Sequence, residues 1–138
     1  MADAVQHAIN DSRRVPNMVL TAHVHNYQRS FPLTFVPAPQ PEGARVGGPV
    51  AGEWTLDKSF GDGASAKPQG IIYIVSGGGG AGLYNPEQQD DPATWQPFTD
   101  KFISKVHSLT VADVEGRTFR MKQISDTGEV LDSFRIAK

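Results

Sequence analysis

Met18-Val-Leu-Thr-Ala-His-Val-His-Asn-Tyr-Gln-Arg29 is the stretch on which the reading of this chain turns. Its first part is apolar and its second carries two histidines at i and i+2. In an extended chain, side chains two apart point to the same face, so His23 and His25 can present two imidazoles to one small volume. Imidazole is the commonest metal-ligating side chain. The pair also falls where an apolar strand gives way to a polar loop, and in open α/β sheets ligands bind outside the carboxyl ends of strands. The competing reading is a chance alternation of two histidines with structural roles.

Composition narrows the class. The 138 residues are 38% hydrophobic and 20% charged, enough for one domain with its own core. A net charge of −2 with no Lys/Arg block argues against a nucleic-acid or anionic-membrane surface. There is no cysteine, so any metal must be held by His, carboxylate or amide groups, and the compartment is not indicated. No stretch approaches membrane-spanning length, and the N-terminal residues lack the apolar run of a signal peptide.

Val5, Ala8 and Ile9 at helical spacing predict a short helix over Ala2–Arg13, closed by Arg13-Arg14 and Pro16. Met1 leading directly into that pattern reads as an opening in mid-domain. Met18-Val19-Leu20 is continuously apolar, which suits a strand covered on both faces, so the chain opens as α/β. From Phe31 the character changes, and Pro32, Pro37, Pro39, Pro41, Pro49 and Pro68 mark a long connection whose core is a Pro/Gly-rich loop over 37–69. Leu33–Val36 can form a brief strand at its start, with Trp54 and Phe60 pinning its middle.

Gly70-Ile-Ile-Tyr-Ile-Val-Ser76 is a second strong strand, and it runs into Gly77-Gly-Gly-Gly-Ala-Gly82. A phosphate cradle would need a Gly-Lys-Ser/Thr ending and a helix, whereas Leu83-Tyr84-Asn85-Pro86 follows. The glycines then read as a loop needing positive φ and close backbone approach. Residues 88–100 are a polar connector with Trp95 and Phe98 as anchors. Three runs, Ser108–Val114, Thr118–Ile124 and Val130–Ile136, separated by Glu115-Gly116 and Asp126-Thr127-Gly128, predict an antiparallel β-meander.

Three of these segments, taken in order, resemble the calcineurin-like metallophosphoesterases, purple-acid-phosphatase-like branch. They are Ala22-His-Val-His-Asn-Tyr-Gln-Arg29, where the family has Gly-His-x-His-x-Tyr-Glu-Arg; Ile72-Tyr-Ile-Val-Ser-Gly-Gly-Gly-Gly80; and Ile124-Ser-Asp-Thr-Gly-Glu-Val-Leu-Asp-Ser-Phe134. Ala22 and Gln28 depart from the family pattern. The resemblance implies a two-sheet β sandwich flanked by helices and ending in the meander. It also implies two metal ions, Fe, Zn or Mn in divalent or mixed-valence pairs, about 3.5–4 Å apart. His23 would then bind one metal and His25 the other, and a metal-bound hydroxide would attack a phosphomonoester or diester. Tyr27 and Arg29 would face the substrate phosphate; for Arg29 a structural ion pair behind the motif stands as the alternative.

The family's earlier ligand motifs, Asp-x-Gly or Asp-x-His, Gly-Asp-x-x and Gly-Asn-His-Asp/Glu, do not occur ahead of His23 in this sequence. His7 and His107 match no ligand position and read as surface residues, and Asp62, Asp90 and Asp91 as solvated loop acids. Residues 1–138 are therefore expected to be one partial domain, the C-terminal part of a metallophosphoesterase catalytic domain. Such a piece should lack catalytic residues independent of the metal and bind metal weakly or not at all. It should also self-associate through apolar surface that a missing N-terminal half would cover. The alternative is a noncatalytic β-rich binding domain with a residual His-x-His.

Overall fold

A computed structural model of the chain describes residues 17–41, 43, 47–61 and 67–137. The helix expected over Ala2–Arg13, with His7, lies outside them, as does Asp62. The strands are β1 (Met18–Thr21), β2 (Tyr27–Ser30), β3 (Leu33–Pro37), β4 (Gly52–Leu56), β5 (Ile72–Ser76), β6 (Thr99–Ile103), β7 (Ser108–Glu115), β8 (Thr118–Ser125) and β9 (Val130–Ala137). Two 3₁₀ turns, Pro86–Asp90 and Pro92–Thr94, precede β6. A four-stranded sheet has the order β1-β5-β2-β6, β3 and β4 form a hairpin, and β7-β8-β9 form the expected meander. β1 is parallel to β5, whereas β2 runs antiparallel to both β5 and β6. No α-helix flanks the sheets among the described residues, which are β-rich rather than layered α/β.

One core joins the four-stranded sheet to the meander. Period-two alternation turns Ile72 and Ile74 of β5 inward and leaves Tyr73 on the opposite face. Tyr27, Ile72, Ile74 and Ile103 from the first sheet meet Met121, Phe134 and Ile136 from the meander, with Phe60 between them. Phe60, expected to anchor the long connection, is 3% exposed and sits edge-on to Phe134 at 6.0 Å. The meander turns carry Gly116 at φ 57° and Gly128 at φ 90°, left-handed conformations that glycine adopts without a Cβ clash.

Three expectations change. β1 is an edge strand, and Leu20 is 54% exposed, so Met18–Leu20 is not covered on both faces. The 37–69 connection contains β4, paired with β3 in register from Leu33↔Leu56 to Pro37↔Gly52. That pairing was hidden because Gly52-Glu-Trp-Thr-Leu56 has only a weak strand pattern without its partner. Finally, β2 and β6 are inner and edge strands that polar residues such as Gln28, Thr99 and Asp100 had masked. Their register slips between Arg29 and Ser30.

Candidate metal-binding site

His23 and His25 lie in the turn between β1 and β2 rather than on a strand. The Asn26 N–H donates to the Val24 carbonyl at 2.8 Å, tightening the chain around His25. His23 has φ 83°, a left-handed conformation that costs a non-glycine residue about 1–3 kcal/mol and that the surroundings must hold. The same-face argument from an extended chain therefore does not apply here. The turn sets the relative direction of the two imidazoles, with His23 exposed and His25 half-buried. Ala22 is not among the positive-φ residues, so alanine fits where the resembled family carries glycine.

The glycine run holds this turn from the side. Gly77 N–H donates to the Asn26 carbonyl at 2.9 Å, and Tyr84 N–H donates to the His25 carbonyl at 3.0 Å. A Cβ on Gly77 would stand 2.0 Å from the Val24 oxygen, so close approach fixes glycine there. None of the glycines from 77 to 82 is among the positive-φ residues, and Gly79, Gly80 and Gly82 have open space where a Cβ would go. The run is thus required for approach at Gly77 and not for left-handed backbone.

His25 Nδ1 lies 2.9 Å from the Gly82 carbonyl, and its ring stacks on Tyr84 with centroids 4.3 Å apart and planes at 21°. A carbonyl only accepts, so Nδ1 carries the hydrogen and the neutral ring keeps its lone pair on Nε2. Metal-ligating histidines are oriented by such a bond from the second nitrogen. His107 is half-buried, and its Nε2 donates to the neighbouring Ala81 carbonyl at 3.1 Å. The same glycine loop therefore fastens His25 and His107.

As a metal centre the arrangement is one-sided. Among the described residues no group of three or more His or carboxylate side chains is placed to hold an ion. Asp90 pairs with Lys105, and Asp91 caps the following 3₁₀ turn through its carbonyl, which accepts from Thr94. Structural zinc sites take four protein ligands and catalytic ones three, so two imidazoles fit one side of a site and do not complete it.

Tyr27 and Arg29 follow on β2, at 0% and 3% exposure. The Arg29 fork grips Asp132 of β9, Nε donating to Oδ2 at 2.6 Å and Nη2 to Oδ1 at 3.1 Å. Its Nη1 faces Asp100 of β6 at 2.8 Å, and the Tyr27 hydroxyl donates to Asp132 at 2.8 Å. Burial, then the charge and hydrogen bond of Asp132, push the Tyr27 hydroxyl far above the ordinary tyrosine range. Burial works against the Arg29 charge, but the hydrogen bond and charge of Asp132, with Asp100, outweigh it and raise the guanidinium pKa. In this arrangement Arg29 occupies the ion pair weighed as the alternative to a phosphate contact.

The residue that sequence reading missed is Asp132. Its signal was present, since Asp132, Phe134 and Ile136 alternate on the core face of β9. A carboxylate there implies a buried cation partner. Beside the network, Asn26 is 1% exposed and its Nδ2 has no hydrogen-bond partner among the described residues.

No protein-family profile and no solved structure matches the chain. Over 122 residues, 88% of this chain, it is 31% identical to "Probable inactive purple acid phosphatase 1" of Arabidopsis thaliana. The chain spans only 16% of that protein's length. At this coarse level, the similarity is to the purple acid phosphatases within the metallophosphoesterases.

Proposed function

We propose that this chain is the C-terminal portion of a binuclear metallophosphoesterase that carries its His-x-His arm. His23 and His25 would each offer a nitrogen to one of two metal ions. The single observation that best supports this is the His25 Nδ1–Gly82 bond, which leaves Nε2 as the lone-pair nitrogen. In such enzymes the ions polarise phosphoryl oxygens and supply the nucleophile. The chain's own residues position that arm: Gly77 brings the two loops together, Tyr84 braces the His25 ring, and the Arg29–Asp132 pair fixes β2 behind the motif. Further ligands would have to come from outside the described residues.

Calorimetric titration with zinc tests this reading. Binding should be micromolar or weaker, because an incomplete ligand set leaves the ion largely hydrated. It should be lost in His25→Ala and in the double variant with His23→Ala. With zinc, manganese or iron added, hydrolysis of an aryl phosphate should not rise above the metal-only background. Binding unaffected by His25→Ala would sink the proposal, and would favour the reading as a noncatalytic β-rich binding domain. The word "inactive" in the relative's name is the observation on the side of that second reading.

A further inference from the structure

On the face of β5 away from the core, Tyr73 looks toward the β3–β4 hairpin across a hollow of about 710 Å³. Leu33, Phe35, Val50, Trp54 and Phe98 complete its wall. Phe35 and Trp54 are directly opposed across the hairpin, and Trp54 leans on Phe98 at 5.2 Å with planes at 54°. Gly52 lies beneath the Phe35 ring, whose Cζ is 2.5 Å from where a Cβ would stand, so the wall is seated on backbone.

These apolar side chains remain open to solvent, with Trp54 and Val50 at 50%, Phe35 at 42% and Tyr73 at 38% exposure. The volume lies in the range of small-molecule sites, about 300–1,000 Å³. Among the described residues no charged side chain lines it, and the side-chain polar atoms they bring there are the Tyr73 hydroxyl and the Trp54 indole N–H. A charged ligand would lose its hydration without compensation, and a sugar would leave most hydroxyls unpaired. Flat apolar rings instead gain from offset or edge-on contact with such walls.

We propose that the hollow between the β3–β4 hairpin and Tyr73 is a binding site for an uncharged, planar apolar small molecule. It is separate from the histidine turn: Tyr73 lies four residues before Gly77, about 13 Å along an extended strand. The proposal does not depend on metal chemistry.

The test titrates the neutral fluorophore N-phenyl-1-naphthylamine into the whole chain, following probe emission and quenching of tryptophan. Saturable single-site binding is expected, displaced by 2-naphthol but not by methyl glucoside, and unchanged in His25→Ala. Trp54→Ala should weaken it about tenfold or more, as loss of a tryptophan anchor does. Val50→Asp, which puts a charge on the wall at a half-exposed position, should weaken it as well. Circular dichroism shows whether both variants stay folded. Non-saturating uptake, or unchanged affinity in both folded variants, overturns the proposal. So does a dimer that excludes the probe and dissociates in Trp54→Ala, because a second copy would then be the occupant.

Discussion

Arg29 of β2 and Asp132 of β9 meet through two parallel hydrogen bonds, 2.6 and 3.1 Å, each side chain 3% exposed. The pair ties the strand after the histidine turn to the far edge of the meander. Removing one member of a buried pair leaves an uncompensated charge and costs about 3–5 kcal/mol. Asp132→Ala should therefore destabilise the chain by about 3 kcal/mol, the low end, because Asp100 still faces Arg29. Urea unfolding measures it. Replacing both with apolar residues, Arg29→Met with Asp132→Leu, should cost less than the single change.

Tyr27 should not ionise in the native protein at the pH where ordinary tyrosines do, about 10. Its folded pKa is raised by burial and by Asp132, so the stability it contributes is full below the unfolded value. That contribution is lost as pH rises past it. Ultraviolet titration of wild type and Tyr27→Phe should give the same tyrosinate absorbance up to about pH 11. A smaller amplitude in the variant would contradict the buried hydroxyl–carboxylate contact.

Gly77→Ala should displace the histidine turn, because its Cβ would meet the Val24 carbonyl at 2.0 Å. A cost of about 1–3 kcal/mol is expected, with loss of the weak zinc binding. Gly79→Ala, where nothing lies within 4 Å, should leave both unchanged.

Asp57 gathers the chain between β4 and β5. Its carboxylate accepts from the Ser59 hydroxyl at 2.6 Å, the Ser59 N–H at 3.1 Å and the Gln69 N–H at 3.0 Å. The Ser59 hydroxyl bond and then the Gln69 backbone bond lower its pKa below the ordinary carboxylate value. A depressed folded pKa means the stabilisation is present above the unfolded value, about 4, and is lost as pH falls through the folded one. Protection of the Gln69 amide, measured against its intrinsic exchange rate at each pH, should fall below about pH 4 in wild type and be lost at neutral pH in Asp57→Ala. Equal exchange in the two at neutral pH would refute the tether.

Self-association is expected from two sheet edges that have no ladder partner among the described residues. β1 and β7 are edge strands, and Leu20, Leu109, Val111 and Val114 are 54%, 55%, 42% and 71% exposed. Unpaired edges with apolar flanks recruit further strands. Light scattering over a concentration series should show a dimer or larger species, shifted toward monomer by Val111→Lys. A monodisperse monomer at all concentrations would count against it.

Local pattern alone determined the meander, since Gly116 and Gly128 at its turns and the runs between them specify antiparallel neighbours. It likewise marked β1, β5 and the proximity of His23 and His25 in the chain. Tertiary structure decided what those residues do. The Gly82 carbonyl on His25 and the placing of His107 on the same loop arise from contacts across 57 and 26 residues, which no short-range periodicity encodes. The Arg29–Asp132 pair spans 103 residues, so only the folded chain shows that the arginine beside the histidine motif faces an internal carboxylate. Strands β2, β4 and β6 were invisible for the same reason. Polar residues such as Gln28, Glu53 and Asp100 interrupt their apolar pattern, and their extended form comes from ladder bonds with partners distant in sequence.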